Sequence, residues 1–110
     1  MTSLFPYPDK VYEEMEIVRK TNNEQILINI AKNHPFPETR EKAIKKIENE
    51  DVLFYVAKND EDKYCRITAV FKIKEDSALK YIAKNDSEEF IRMEAKKRLK
   101  KLGHENQTEF

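Results

Sequence analysis

The sequence predicts an all-α solenoid: three 26-residue helical hairpins preceded by an N-terminal half-repeat. Three observations predict it. Residues 27–52, 53–78 and 79–104 align without a gap at a period of 26, and a fixed period of roughly 20–50 residues marks a repeat architecture. Six columns are identical in all three copies: Leu27/Leu53/Leu79, Ala31/Ala57/Ala83, Lys32/Lys58/Lys84, Asn33/Asn59/Asn85, Arg40/Arg66/Arg92 and Ala43/Ala69/Ala95. The composition of 39% hydrophobic and 38% charged residues, with a single Gly, suits a thin stack of helices that has much surface and little core.

Residues 1–8 form an N-terminal lead in which Pro6 and Pro8 forbid a helix; two readings stand for it, a fold-back of Phe5 and Tyr7 over the first helix and a disordered lead. Asp9 reads as an N-cap, and Val11, Met15, Ile17 and Val18 give an apolar stripe over the half-repeat 9–22. The repeats are 23–48, 49–74 and 75–102 within a repeat domain of 9–102, and a polar tail takes 103–110. Each repeat carries two short helices. In the first copy the leading helix spans about 24–32, with Ile26, Leu27, Ile30 and Ala31 pointing inward, and it is short enough to be 3₁₀ or mixed. Asn23 and Asn49 stand at N-cap positions, with Glu75 a poorer counterpart, and Asn33, Asn59 and Asn85 end the helices as residues that tolerate the left-handed conformation. Pro37 suits the first position of the second helix, and Asp86 with Glu89 has capping-box spacing. The second helices bury Thr39, Ala43, Ile44 and Ile47, then Cys65, Ala69, Val70 and Ile73, then Ile91, Ala95 and Leu99. In the last copy Lys96 replaces the apolar Ile44/Val70, among Lys97, Arg98, Lys100 and Lys101, as at the outer edge of a stack.

Asp60 and Arg66 are six residues apart, as are Asp86 and Arg92, with each Asp between two helices and each Arg one turn into the second. This pattern resembles HEAT repeats, and IAKND…R..A…I is similar to the short HEAT-like units of bilin-lyase-type proteins and leucine-rich-repeat variants. The resemblance covers residues 24–102. It implies a right-handed superhelix in which Asp60, Arg66, Asp86 and Arg92 form a hydrogen-bonded ladder between units. His34 stands in the Asp column of the first copy, so Arg40 needs another acceptor, for which Asp60 is the candidate. A lyase-like role comes with the bilin-lyase group, but nothing beyond the repeat matches it. The cluster-binding leucine-rich-repeat variants need several cysteines where this chain has Cys65 alone.

Composition narrows the chemistry. Lys+Arg and Asp+Glu balance at 21 each, which argues against a polyanion as the main partner. One cysteine excludes an internal disulfide and a multi-cysteine metal site, and the two histidines, His34 and His104, have no partner at metal-ligand spacing. A single Gly excludes a glycine-rich phosphate loop. No stretch has the length of a membrane span or a signal peptide, so the default location is the cytoplasm. The sequence therefore predicts no enzyme, no metal and no cofactor.

Binding is the remaining class. On the second helices, Glu41, Lys45 and Lys46 face away from the core, and the next copy has Ile67, Phe71 and Lys72 there. Ile67 and Phe71, with Met93 one period on, form an apolar patch where a polar face is expected. Tyr55 and Tyr81 share one column of the first helices and are further candidates for a contact surface. The expected function is a small adaptor that presents a helical-repeat groove to another protein. Three alternatives stay open: a homodimer or oligomer through Ile67, Phe71 and Met93, nucleic-acid binding by the lysines of the second helices, and the lyase-like role that the HEAT-like resemblance implies.

Overall fold

The computed structural model describes residues 7–103, which hold seven α-helices and no strand. Phe5, Pro6, His104 and the tail beyond Gly103 lie outside the described residues. The helices are α1 (Asp9–Lys20), α2 (Glu24–Asn33), α3 (Pro37–Ile44), α4 (Glu50–Asn59), α5 (Lys63–Val70), α6 (Asp76–Asn85) and α7 (Glu89–Lys101). The leading helices α2, α4 and α6 are α-helical, not 3₁₀. The chain divides into two units, Met1–Ile47 and Glu48–Phe110.

In the first unit α3 packs against both α1 and α2. Its core holds Val11, Val18, Leu27, Ala31, Ala43, Ile44 and Ile47. Thr39 is also fully buried, and its Oγ1 has no hydrogen-bond partner among the described residues. Tyr7 lies over α1 and the turn before α3, its ring centroid 5.9 Å from Tyr12 and 5.4 Å from Phe36. The Lys46 ammonium donates to the Val18, Arg19 and Thr21 carbonyls, at 2.9 Å and 3.0 Å for the first two. It thus neutralises the carbonyl end of α1, where a helix carries partial negative charge.

In the second unit α4 packs on α5 and α6 on α7, while α4 also meets α6 and α5 meets α7. That makes two layers of two helices. Their shared core is Leu53, Val56, Ala57, Cys65, Ala69, Val70, Ile73, Leu79, Ile82, Ala83, Ile91, Ala95 and Leu99. Every residue expected in the buried stripes of the second helices is buried. The recurrent alanines are 0–3% exposed, which leaves room for close helix approach.

Several local expectations are corrected. Asp9 is not the N-cap of α1 but its first residue; Pro8 precedes it, and Asp9 supplies first-turn negative charge. Asn33, Asn59 and Asn85 are the last helical residues, not left-handed stops. The residues after them, His34, Asp60 and Asp86, have ψ of 137, 133 and 142°, so the chain leaves each helix directly into extended backbone. Among the described residues only Gly103 has positive φ. The amides of Asn59 and Asn85 instead donate back to the carbonyls of Tyr55 and Tyr81, at 3.1 and 2.9 Å. The Asp86/Glu89 capping box does not form: Asp86 Oδ1 accepts the Glu88 N–H at 2.8 Å, and α7 starts without a side-chain cap. Ile26 and Ile17 are 42% and 51% exposed and leave the apolar stripes.

Other expectations hold. Asn23 and Asn49 cap α2 and α4 by accepting the Ile26 and Val52 N–H groups at 3.1 Å, and Glu75 makes no such bond at α6. Pro37 opens α3. Sequence reasoning overlooked Asp62, which caps α5 by accepting the Cys65 N–H at 2.9 Å.

Candidate interaction surface

The arginine column has one geometry throughout. Arg40, Arg66 and Arg92 each send Nη1 to the carbonyl of the residue six positions earlier: His34 at 2.8 Å, Asp60 at 2.9 Å and Asp86 at 2.6 Å. Those carbonyls end α2, α4 and α6, where the backbone has orphan acceptors. Each arginine thus ties the start of a second helix to the end of the first helix before it.

Arg66 goes further. Its Nε donates to Asp86 Oδ2 at 3.1 Å and its Nη2 to Oδ1 at 3.4 Å, a two-pronged pair with side chains 12% and 3% exposed. This is the expected ladder contact between successive hairpins of the second unit. Asp60 and Asp86 also accept the N–H two residues on, from Asp62 at 2.9 Å and Glu88 at 2.8 Å. Histidine does the same work in the first unit: His34 Nδ1 accepts the Phe36 N–H at 3.1 Å.

The apolar candidates lie on the second helices. Phe71, at the C-terminal end of α5, is 52% exposed, Met93 on α7 is 54% exposed, and Ile67 is half-buried. Sequence reasoning missed Tyr64 and Phe90, which are 60% and 43% exposed. These two share a column, and the signal was present: the first copy has Glu38 there. On α5 Tyr64, Ile67 and Phe71 fall at i, i+3 and i+7, one helical face, and on α7 Phe90 and Met93 repeat its first two positions. The face then turns basic at Lys97, whose ammonium is 3.5 Å from Glu94.

Tyr55 and Tyr81 belong to the other layer, on α4 and α6. Tyr81 stacks edge-on against Phe54 at 5.6 Å, and the Lys58 ammonium lies 4.8 Å from the Phe54 ring centre and 5.6 Å from that of Tyr81. That arrangement packs one hairpin against the next, and the structure does not place Tyr55 or Tyr81 on the helices of Ile67, Phe71 and Met93. The predicted candidates are thus two groups on two layers.

The lysine positions are partly committed. Lys46 serves the end of α1, the Arg98 Nη2 donates to the Ile73 carbonyl at 2.8 Å, and Lys72 pairs with Glu48 at 3.0 Å. This hydrogen bond to Lys72 holds the Glu48 carboxyl below its ordinary pKa. Among the described residues, no cluster of three His, Cys, Asp or Glu side chains could hold a metal ion, and no helix is long and apolar enough to cross a membrane. No family model, curated protein or solved structure matches the chain.

Proposed function

We propose that the chain is a protein-interaction domain whose second-helix face binds a segment of another protein by display, not catalysis. The observation that carries this reading is the exposure of Tyr64, Phe71, Phe90 and Met93 on two helices that pack together, with half-buried Ile67 among them. Aromatic and methionine side chains are the residues enriched where protein interfaces are fully desolvated, and clustered apolar exposure marks such surfaces. The partner this face fits carries its own apolar side chains at helical spacing. The 26-residue units are proposed to stack as a short HEAT-like solenoid, and the arginine bond repeated in each of them supports that arrangement. A single cysteine, buried and unbridged, suits a reducing cytoplasm.

The test is site-specific photocrosslinking in the native lysate, with benzophenone placed at Tyr64 or, as a control on another exposed position, at Ile26. The expected result is a protein trapped from position 64 but not 26, and lost in the Phe71→Glu/Met93→Glu variant. That protein, purified, then binds the variant at least about tenfold more weakly than the original chain. Equal trapping from both positions, or equal binding to the variant, overturns the reading.

A further inference from the structure

Arg92 occupies the column of Arg66 and is held in the same way, with Nη1 fixed on the preceding cap carbonyl, at 2.6 Å against 2.9 Å. In Arg66 the remaining prongs, Nε and Nη2, grip the Asp86 carboxylate. In Arg92 the same two prongs have no acceptor among the described residues. The surroundings of the two arginines differ in a consistent direction. The next position of the row on α5 is Val70, fully buried; on α7 it is Lys96, exposed, and Lys100 comes four residues on, also exposed. Neither Lys96 nor Lys100 has a carboxylate within ion-pair distance among the described residues. Arg92, Lys96 and Lys100 therefore form one cationic row along α7, at i, i+4 and i+8, beside exposed Met93.

A lysine at a helix C-terminus is stabilised by the helix dipole, which accounts for Lys100. It does not account for Arg92, which lies in the first turn of α7, and the Nη1 bond to the α6 end uses only one prong of its guanidinium and leaves Nε and Nη2 unexplained. We propose that Arg92 is a carboxylate socket, and that with Lys96 and Lys100 it anchors an acidic segment of the protein partner. The inference rests on the protein-interaction reading and names the chemistry of the partner: an acidic stretch with apolar residues that reach Met93 and the neighbouring face. A carboxylate is the ligand because the same fork, in the same chain and on the same backbone tether, already holds one at Arg66. Guanidinium–carboxylate pairing through two parallel N–H···O bonds also gives a geometry that a lysine cannot copy.

The test uses a fluorescein-labelled helical peptide with leucines at i, i+3 and i+7 and glutamates on the flanks, its Gln-for-Glu twin, and a single-stranded oligonucleotide of equal charge. Binding is monitored by anisotropy and by ¹⁵N spectra that resolve the arginine Nε–H groups. The expected result is saturable binding of the acidic peptide, with the Arg92 Nε–H resonance shifting and that of Arg66 fixed. The Gln peptide binds about tenfold more weakly. Arg92→Lys, which keeps the charge and removes the fork, weakens the acidic peptide severalfold without changing the thermal midpoint by more than a few degrees. Tighter binding of the oligonucleotide overturns the proposal in favour of a phosphate backbone, and an unmoved Arg92 resonance or an unaffected Arg92→Lys variant overturns the socket itself. Crosslinking from Tyr64 that survives Arg92→Lys while the peptide result fails leaves the interaction reading standing without the acidic partner.

Discussion

Glu14 and His34 form a copy of the Arg66–Asp86 pair with donor and acceptor exchanged. Glu14 stands 26 residues before Arg40 in the arginine column and His34 stands 26 before Asp60 in the aspartate column, so each pair spans 20 residues. His34 Nε2 meets Glu14 Oε1 at 3.0 Å, with the His34 side chain 7% exposed. The acid now sits where the base was. With Nδ1 accepting the Phe36 N–H, the ring carries its proton on Nε2 and donates it to the carboxylate. A histidine thus fills both roles of the aspartate it replaces, as local turn acceptor and as partner to the neighbouring element, with the direction of the second bond reversed.

Breaking the Arg66–Asp86 pair leaves a nearly buried guanidinium without its counter-charge. Asp86→Ala is expected to cost about 3 kcal/mol. Asp86→Ala combined with Arg66→Met is expected to cost less than the single change, since no orphan charge remains. Urea unfolding of the four members of this cycle measures both. A purely additive cycle would show that the pair does not couple the hairpins.

Core and surface positions separate the true apolar stripe from the apparent one. Leu53 is 1% exposed, and Leu53→Ala is expected to cost about 2–5 kcal/mol. Ile26→Ala, at 42% exposure, is expected to stay within about 0.5 kcal/mol of the original chain. Thermal unfolding of the two variants decides; a large loss at Ile26 would return it to the core.

One helix start has room for improvement. Asn23 and Asn49 cap their helices and Glu75 does not. Glu75→Asn is expected to stabilise the chain by up to about 1 kcal/mol, because it supplies an acceptor for an orphan N–H in the first turn of α6. A lower midpoint in urea would mean that the α6 start cannot adopt the geometry of the other two.

Thr39 is fully buried, and its hydroxyl has no partner among the described residues. Its column mates are Cys65 and Ile91, so the site accepts apolar side chains. Thr39→Val removes a buried polar group at nearly constant shape and is expected to raise stability by about 1 kcal/mol. A loss of that size instead would reveal a water or a shifted backbone group that satisfies the hydroxyl.

Glu48 gives the pH dependence. The Lys72 hydrogen bond lowers its pKa in the folded chain, so its contribution is present above the ordinary carboxylate range and fades as pH falls through the lowered value. Carboxyl-carbon NMR of Lys72→Met is expected to show Glu48 titrating at higher pH than in the original chain. No movement would mean that the two side chains do not hold this contact in solution. Because the group is exposed, salt is expected to shrink the difference.

The 26-residue period and the buried columns were legible because burial forces the same residue types to recur: Ala43, Ala69 and Ala95 cannot grow without pushing helices apart. The helix ends were less legible. Asp86 has the spacing of a capping box with Glu89, but its carboxylate is drawn into the turn and toward Arg66, a partner 20 residues away that no local pattern announces. Ile26 and Ile17 match a helical period and still face outward, because a short helix packed on one neighbour buries only a narrow stripe. The contrast at Tyr64 and Phe90 lies one turn before that at Ile67 and Met93, in the column where the first copy has Glu38. That two prongs of Arg92 have no acceptor among the described residues had no sequence signal at all, since the residue is identical to Arg40 and Arg66.

The extended exits from α2, α4 and α6 have a consequence for the unfolded chain. Corners made with ordinary φ values need no glycine, and this sequence of 110 residues has one, at position 103. Glycine widens the ensemble that folding must narrow, by about a kcal/mol at each interior site. A chain that turns so often without it begins its search from a smaller set of conformations, and part of its stability resides in the states that its disordered form never visits.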